Sequence, residues 1–353
     1  MNLIKKNNLP RVFAALGLAT FAFAVLPLVF RSIARAAEGK GLDVEVPYEI
    51  KALKSSGLTA PAYLATDGNK LIVSDRAGGV FSVTMAGKAT ALADKSKLPH
   101  PAGVAIAPAG FGAYGGQTFV LAAPAADGPC EVDRIDKSGA VSTFAKLPDN
   151  GSVGGGKPTE CRALEFGPTG SLYAGKLFAA TTGNETLYAV DSSGKASAFS
   201  SFDKPIPFEI STIAFAPADD SKAPGMMLLG MRPTSAGAAR VGRIGVVMSD
   251  GKVKDDPYLV GFTRPGGIAF APTNFGAYSS QLFVADTGRL ASENSSGKDG
   301  NIERVEKGLA RPWGGGLVDP TDMKFVGSKL VIADPAEKGR PDAGAIVIIT
   351  SLL

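Results

Sequence analysis

The amino-acid sequence predicts an all-β fold in which a four-stranded unit repeats along the chain. The apolar residues occur in short runs of four to seven, rich in Val, Ile and Phe, as in buried β-strands. Glycine and proline, at 44 and 24 of the 353 residues, separate these runs and suit tight turns between strands. The chain also resembles itself at intervals of 47 to 59 residues, which indicates a repeat architecture.

The repeat is clearest between residues 107–120 and residues 271–284, where nine of fourteen positions are identical. Residues 166–178 form a weaker copy of the same pattern. Continuing this register predicts six apolar strands that start near Leu71, Thr118, Leu177, Met227, Leu282 and Leu330. A short strand precedes each of them, and a third apolar strand, a turn and a more polar fourth strand follow. Units of this kind, with four strands each, indicate the blades of a β-propeller.

The ends of the chain predict how a six-bladed β-propeller with four-stranded blades would close. The sixth unit stops at its third strand, residues 345–350, and therefore lacks an outer strand. Residues 42–52 provide a spare strand before the first blade. Pairing this N-terminal strand onto the last blade would complete that blade and remove the exposed strand edges of an open ring. We therefore expect one closed domain over residues 37–353.

Residues 1–36 have the pattern of a secretory signal peptide. Basic residues near the start precede an uncharged run at 12–30, and the small residues Ala34 and Ala36 predict cleavage before Ala37. The run of nineteen residues is also long enough to cross a bilayer, so an uncleaved membrane anchor is the alternative. Both interpretations place the domain outside the cytoplasm, as a periplasmic or secreted protein.

The charge of the chain argues against a nucleic-acid partner. The full sequence carries 37 basic and 33 acidic residues. Five of the basic residues and none of the acidic ones precede Ala37, so the mature chain would carry 32 basic residues against 33 acidic ones. A near-neutral domain lacks the excess of positive charge with which proteins bind nucleic acids in general.

Cys130 and Cys161 are the two cysteines of the sequence. In an oxidising compartment a single pair is most simply a disulfide, and two free thiols are the alternative. A metal site built on these cysteines is poorly supported, because the chain has no Cys-x-x-Cys motif and only one histidine.

The repeated motif resembles that of a known superfamily. It reads Pro-x-Gly-x-Ala-x-Ala-Pro followed by Gln-Leu-Phe-Val-Ala-Asp in residues 265–286. This pattern is similar to that of six-bladed propellers of the NHL-repeat and regucalcin/gluconolactonase-like superfamily, over essentially the whole mature chain. The superfamily contains calcium-dependent lactonases and esterases, condensing enzymes and non-catalytic binding proteins, so the resemblance implies the blade architecture and no single activity. The calcium lactonases typically open the first blade with Glu, where this chain has Ala60.

The repeat register predicts which residues surround one opening of the central channel. The ring directly before the inner strands consists of Ala60, His100, Glu160, Glu209, Arg264 and Asp319. A second column, just inside the inner strands, consists of Tyr63, Gly103, Ala163, Thr212, Gly267 and Asp322. We expect the small residues of this second column to keep the channel open and Asp322 to point into it.

These side chains suggest a chemistry at the channel mouth. Ca²⁺ takes oxygen ligands, and the carboxylates available for such a hard cation are Glu160, Glu209, Asp319 and Asp322. His100 would act as a general base, and Arg264 would bind an anionic substrate. The alternative interpretation assigns these residues to turn capping and to ion pairs at the rim, such as one between Glu160 and Arg264.

A further set of aspartates stands at the ends of three second strands: Asp75, Asp286 and Asp334. Aspartate at such a position accepts hydrogen bonds from the turn that follows, which predicts a structural role. The alternative is an acidic pocket shared with Asp319 and Asp322, since the three blades would be neighbours in a closed ring.

Two functional hypotheses follow from the sequence. In the first, the protein is a non-catalytic module that binds a small molecule, a polymer or a partner protein on its channel-mouth face. In the second, it is a metal-assisted hydrolase or lactonase that uses some of the four carboxylates. The sequence identifies no cofactor, with Ca²⁺ as the candidate for the second hypothesis, and it predicts a membrane contact only if the leader is uncleaved.

Overall fold

The computed structural model describes residues 34–36, 40–44, 48–53, 57–68, 70–126, 128–148, 160–182, 186–200, 208–233, 241–288, 299–335 and 344–351. Apart from Ala34–Ala36, the predicted leader lies outside these residues, so its boundaries stay a prediction. The described chain consists of strands, turns and two short 3-10 helical turns, at Gly112–Tyr114 and Gly276–Tyr278. No helix in these ranges has the length and hydropathy of a membrane span.

Six antiparallel sheets confirm the predicted six-bladed propeller. Blade one contains, from its inner to its outer edge, β4 (Pro61–Thr66), β5 (Leu71–Asp75), β6 (Val80–Val83) and β7 (Ala89–Ala93). Blade two contains β8 (His100–Ile106), β9 (Thr118–Ala123), β10 (Glu131–Ile135) and β11 (Val141–Lys146). Blade three contains β12 (Cys161–Phe166), β13 (Leu177–Thr181), β14 (Leu187–Val190) and β15 (Ala196–Ser200).

The remaining blades follow the same order of strands. Blade four contains β16 (Phe208–Phe215), β17 (Met227–Pro233), β18 (Gly242–Val247) and β19 (Leu259–Phe262). Blade five contains β20 (Pro265–Phe270), β21 (Leu282–Asp286), β22 (Gly300–Glu306) and β23 (Leu309–Leu317), and it is extended by β2 (Lys40–Val44) and β1 (Ala34–Ala36). Blade six contains β24 (Asp322–Val326), β25 (Lys329–Asp334), β26 (Ala345–Ser351) and β3 (Tyr48–Leu53).

The N-terminal segment closes the ring, although not as one strand. The sequence predicted a single strand over residues 42–52 on the last blade. In the structure β3 pairs with β26 from Tyr48 opposite Ser351 to Leu53 opposite Ile346, while β2 pairs with β23 of blade five. Pro47, which stands in the sequence between these two strands, has no amide hydrogen for a continuous ladder. The closing strand is therefore the second half of the predicted segment.

The core of the propeller lies between its blades. The inner strands of consecutive blades contact each other from β4 through β8, β12, β16, β20 and β24 and back to β4. Six apolar clusters of described residues fill the six interfaces between consecutive blades. The cluster that joins blade six to blade one contains Leu53, Leu64, Val73, Val331 and Ile346. The last blade thus packs against the first in the way that the others pack against their neighbours.

The repeated Phe-Gly-Ala-Tyr motif fills two of these interfaces. It forms the two 3-10 turns that connect the inner strand to the second strand in blades two and five, and it buries Phe111 and Phe275 completely. Gly276 has a φ of +53°, and a Cβ atom there would lie 2.5 Å from the Ser351 hydroxyl of blade six. Glycine therefore meets both the left-handed backbone and the close contact between blades.

Candidate functional site

The channel mouth lies at the edge where each inner strand begins. His100 pairs with Ala123 and Pro265 pairs with Asp286, so the first residue of an inner strand lies opposite the last residue of the second strand. The loop that enters the inner strand and the loop that leaves the second strand consequently meet at one edge of the blade. Because the inner strands form a ring, these edges surround one opening of the channel.

The aspartates at the ends of the second strands hold the residues that border this opening. The buried Asp286 carboxylate accepts N–H groups of Thr263 at 2.6 Å, Arg264 at 2.8 Å and Gly288 at 3.0 Å. Two equivalent carboxylates do the same for the entry loops of blades one and six: Asp75 for Thr59, Ala60 and Ala77, and Asp334 for Val318 and Asp319. The hydrogen bonds expected from the following turn are present at Asp75 and Asp286, and further ones come from the loop that enters the inner strand.

Glu209, on β16, lies at the centre of a charged network in the mouth. Its Oε1 atom is 3.2 Å from Arg162 Nη2 and 3.8 Å from Arg264 Nη2. The side chains of Glu209, Arg162 and Arg264 are 16%, 13% and 14% exposed, so solvent reaches each of them only in part. Burial alone would raise the pKa of Glu209, but the charges of the surrounding arginines lower it overall, and the carboxylate stays ionised.

Arg232 lies directly opposite Glu209 in the ladder between β16 and β17. It is only 4% exposed, and its Nε and Nη2 atoms have no hydrogen-bond partner among the described residues. Burial, followed by the charge of Arg162, lowers the pKa of Arg232 to about 10, so the guanidinium remains protonated at neutral pH. The other groups that act on it are Glu209, Tyr63 and Asp319, so Arg232 of blade four lies near side chains of blade one and of the loop that enters blade six.

Together Arg162, Arg232, Arg264 and Glu209 form what we term the arginine cluster. Glu160, 59% exposed, lies at its edge and is 2.5 Å from Arg162 Nη2. Burial alone would lower the pKa of Arg162, yet Glu209, the Tyr63 hydroxyl and Glu160 raise it overall. The cluster itself has three guanidinium groups and one carboxylate, and with the more exposed Glu160 at its edge the net charge is one positive. This arrangement can attract and orient an anion that enters from solvent.

Two other residues predicted for the ring form no ion pair with this cluster among the described contacts. Asp319 forms an ion pair with Arg76 at 2.9 Å. His100 is exposed at the first position of β8, and no described contact joins it to Arg264. The expected rim pair of Glu160 with Arg264 is replaced by pairs of Glu160 with Arg162 and of Glu209 with Arg264.

Asp322 does not point into an open channel as the sequence suggested. It is buried, its Oδ2 atom accepts the Leu64 N–H at 2.9 Å, and its Oδ1 atom accepts the Met323 N–H at 2.8 Å. Burial raises the pKa of Asp322 to about 6. Since Leu64 belongs to blade one, this carboxyl fastens the last blade to the first.

The glycines of the second column do not keep the channel open either. A Cβ atom at Gly103 would lie 2.4 Å from the Leu164 nitrogen of blade three, and one at Gly267 would lie 2.4 Å from the Met323 nitrogen of blade six. Glycine at these positions allows the inner strands of neighbouring blades to approach each other.

The four carboxylates predicted to bind Ca²⁺ do not gather at one point within the described residues. No group of three or more His, Cys, Asp or Glu side chains gathers as a metal site within the described residues. Glu160 and Glu209 lie against arginines, Asp319 pairs with Arg76, and Asp322 is held by backbone N–H groups. A metal site at these four carboxylates, with His100 as its base, therefore stays a prediction from the sequence.

Comparisons with known proteins establish the fold. No family model and no curated protein sequence matches the chain. Virginiamycin B lyase from Staphylococcus aureus is similar in structure, with 13% identity, a TM-score of 0.52, and coverage of 87% of this chain and 100% of the lyase. Soluble aldose sugar dehydrogenase from Escherichia coli has 13% identity, a TM-score of 0.54, and coverage of 86% and 99%. An auxiliary nutrient binding protein from Bacteroides thetaiotaomicron has 8% identity, a TM-score of 0.57, and coverage of 88% and 76%.

The chain is a six-bladed β-propeller. A lyase, a dehydrogenase and a binding protein have similar structures, so the fold does not decide between catalysis and binding. The side chains of this propeller at its channel mouth must carry the functional argument.

An ion pair between Lys324 and Glu165 crosses the channel below the mouth. Lys324 on β24 of blade six pairs with Glu165 on β12 of blade three, and these two blades stand opposite each other in the ring. Burial alone would lower the pKa of Lys324, but the charges of Glu165 and Asp322 raise it overall. This pair therefore limits the depth of the channel below the arginine cluster.

The disulfide of the propeller lies beside the arginine cluster. Cys130, just before β10 in blade two, is bonded to Cys161, the first residue of β12 in blade three, with Cα atoms 5.7 Å apart. The disulfide expected from the sequence is thereby confirmed. It holds the start of β12 against blade two, directly before Arg162.

Proposed function

We propose that the protein binds a small anionic molecule at its channel mouth and does so outside the cytoplasm. The state of Arg232 supports this most. Its guanidinium is buried and protonated, and two of its nitrogens donate to no described residue. An unpaired buried charge is unfavourable by several kcal/mol unless it is neutralised and hydrogen-bonded. An anion that supplies two acceptor oxygens to Arg232 would remove this cost.

The rest of the arginine cluster supports the same function. Glu209 contacts Arg162 and Arg264 and so limits the orientations that their guanidinium groups can adopt before a ligand arrives. Side chains that are already ordered lose less entropy when a ligand binds. The Nε atoms of Arg162 and Arg264 also lack partners among the described residues, so all three arginines of the cluster have unsatisfied donors.

Two features support a location outside the cytoplasm. The disulfide between Cys130 and Cys161 is of the kind that persists in oxidising compartments. The N-terminal sequence also has the basic start, apolar run and small residues of an export signal.

Titration calorimetry with acetate, succinate, sulfate and phosphate tests the proposed function. We expect at least one of these anions to bind the wild-type protein, and the Arg232→Gln variant to bind it at least tenfold more weakly, since a charge-assisted bidentate contact is lost. The matched control is Arg311→Gln, which removes an exposed arginine on β23 of blade five. Equal affinity in the wild type and in Arg232→Gln, or no heat with any of the four anions, would contradict the proposal.

A further inference from the structure

We infer that the arginine cluster selects ligands with one negative charge, as in a monocarboxylate, over dianions, and that Glu209 makes this selection. The inference rests on the proposed function and specifies the class of ligand. It concerns the balance of charge within the cluster and the shape of the donor groups that remain free to bind.

The balance of charge favours a monoanion. Arg162, Arg232 and Arg264 contribute three positive charges, and Glu209 with Glu160 contributes two negative ones. The nearby Arg76 and Asp319 neutralise each other. A ligand with a single negative charge therefore makes the site neutral, whereas a dianion leaves one negative charge in excess. Such an excess is poorly screened where the side chains are mostly shielded from solvent.

The free donors of Arg232 match the shape of a carboxylate. Nε and Nη2 form one edge of the guanidinium, and their two N–H groups point in parallel directions that suit the two oxygens of a planar carboxylate. Both atoms are without partners in the described part of the chain. One carboxylate group would thus satisfy both donors of this edge.

Glu209 disfavours the additional oxygens of a tetrahedral dianion. It is the cross-strand neighbour of Arg232, and its carboxylate is an acceptor that cannot donate to a ligand. The arginines that surround it lower its pKa, so it does not become a donor by protonation near neutral pH. The third and fourth oxygens of sulfate or phosphate would therefore lie close to a fixed negative charge, and like charges at short range are repulsive.

The test compares propionate, sulfate and phosphate at pH 8 by titration calorimetry. Wild-type protein is expected to bind propionate at least tenfold more tightly than sulfate or phosphate. In Glu209→Gln the affinity for the two dianions is expected to rise at least tenfold, and that for propionate to change less than threefold. Glu209→Asp keeps the charge and is expected to keep the preference. The matched control is Glu49→Gln, an exposed position on β3 of blade six.

The outcomes separate this inference from the proposed function. If sulfate or phosphate binds the wild type as tightly as propionate, and Arg232→Gln abolishes that binding, anion binding stands and the selection is refuted. If Glu209→Gln folds with wild-type circular dichroism and keeps the wild-type ratio of affinities, Glu209 is not the selecting residue. If Glu209→Gln does not fold, loss of the preference in Glu209→Asp refutes the inference. If none of the three anions binds the wild type, the proposed function itself fails.

Discussion

The buried charged side chains of this propeller differ in their hydrogen-bond partners. Asp75, Asp286 and Asp334 accept backbone N–H groups at the ends of the second strands, whereas two donor atoms of Arg232 have no acceptor within the described ranges. The three aspartates repeat a structural device, because a carboxylate that accepts several N–H groups fixes the loop that supplies them. In the repeat register the position of Arg232 is occupied by Arg76 in blade one, which pairs with Asp319, and by Ala123, Thr182, Thr287 and Pro335 in the other blades.

Substitution of Asp286 tests whether these carboxylates stabilise the loops whose N–H groups they accept. In Asp286→Ala three N–H groups of the blade-five loops lose their acceptor, including that of Arg264. We expect the free energy of unfolding to fall by about 2 to 4 kcal/mol, since hydrogen bonds to charged groups are stronger than neutral ones. Urea denaturation measures this change. The exposed Asp255→Ala provides the control, and a loss no larger than in that control would contradict the structural role.

Asp322 predicts a dependence of stability on pH. Burial raises its pKa to about 6 in the folded state, whereas an aspartate in an unfolded chain has a pKa of about 3.9. Between these two values the folded chain holds a proton that the unfolded chain has released, so the contribution of Asp322 to stability is full below pH 4 and falls as the pH rises to 6. Relative to Asp322→Asn, the wild type should lose roughly 2 to 3 kcal/mol of unfolding free energy over this window. Denaturation curves at pH 4, 5, 6 and 7 give the difference, and parallel pH profiles would refute the assignment.

Sequence reasoning at the residue scale found Glu209 and Arg264 but missed Arg162 and Arg232. The repeat register locates the residue before each inner strand, which is where Arg264 stands. It does not tell which side chains of a strand face the channel, because the pairing shifts between Cys161 and Leu164 in β12 and between Ile210 and Thr212 in β16. A shift of this kind changes the face on which later side chains lie. The sequence signal for Arg232 was its position directly after the apolar run 227–231, at the end of a predicted buried strand.

At the scale of the strand, the periodic pattern of the sequence was informative because it reflects burial on both faces of a sheet. Five of the six predicted second strands start at the predicted residue, and the sixth starts at Lys329, one residue early. The N-terminal segment has no repeat to define its register. Its division into β2 and β3 follows from two different partners, β23 and β26, that lie far away in sequence. Such long-range pairing is not encoded in the local pattern.

The disulfide provides a prediction about β12. Cys130 and Cys161 enclose a loop with a sequence separation of 31. For a loop of this length the loss of chain entropy in the unfolded state corresponds to about 3 to 4 kcal/mol. We therefore expect the double variant Cys130→Ser, Cys161→Ser to melt at a lower temperature, as followed by calorimetry. The melting temperature of the wild type should fall on addition of dithiothreitol, while that of the variant should not. An unchanged melting temperature of the wild type, after complete reduction of the disulfide has been verified, would contradict this prediction.

At the scale of the whole molecule, ring closure depends on β3. It is the outer strand of blade six, and Tyr48 and Leu53 contribute to the apolar clusters on both sides of that blade. Two interactions at the inner strands reinforce the same junction: the Thr321 hydroxyl donates to the Ala62 carbonyl, and Asp322 accepts the Leu64 N–H. The first and last blades are thus joined at their inner and outer edges.

Two truncated chains test this dependence. A chain that starts at Gly57 lacks β3 and exposes the edge of β26, so we expect a lower melting temperature and self-association, because unpaired apolar edges recruit other strands. A chain that starts at Tyr48 lacks only β1 and β2, which extend blade five, and serves as the control. Size-exclusion chromatography and thermal melts measure both effects. Equal behaviour of the two chains would show that β3 is dispensable.

The ion pair between Lys324 and Glu165 has a consequence for traffic through the molecule. An ion pair across the axis restricts passage through the propeller, so a ligand bound at the arginine cluster would leave by the face through which it entered. Binding and release of a ligand would then both take place through the channel mouth. A macromolecule that docked over the channel mouth would prevent either the release or the binding of a small ligand. Binding of the macromolecule and binding of the ligand would thus be coupled without any change in the shape of the blades.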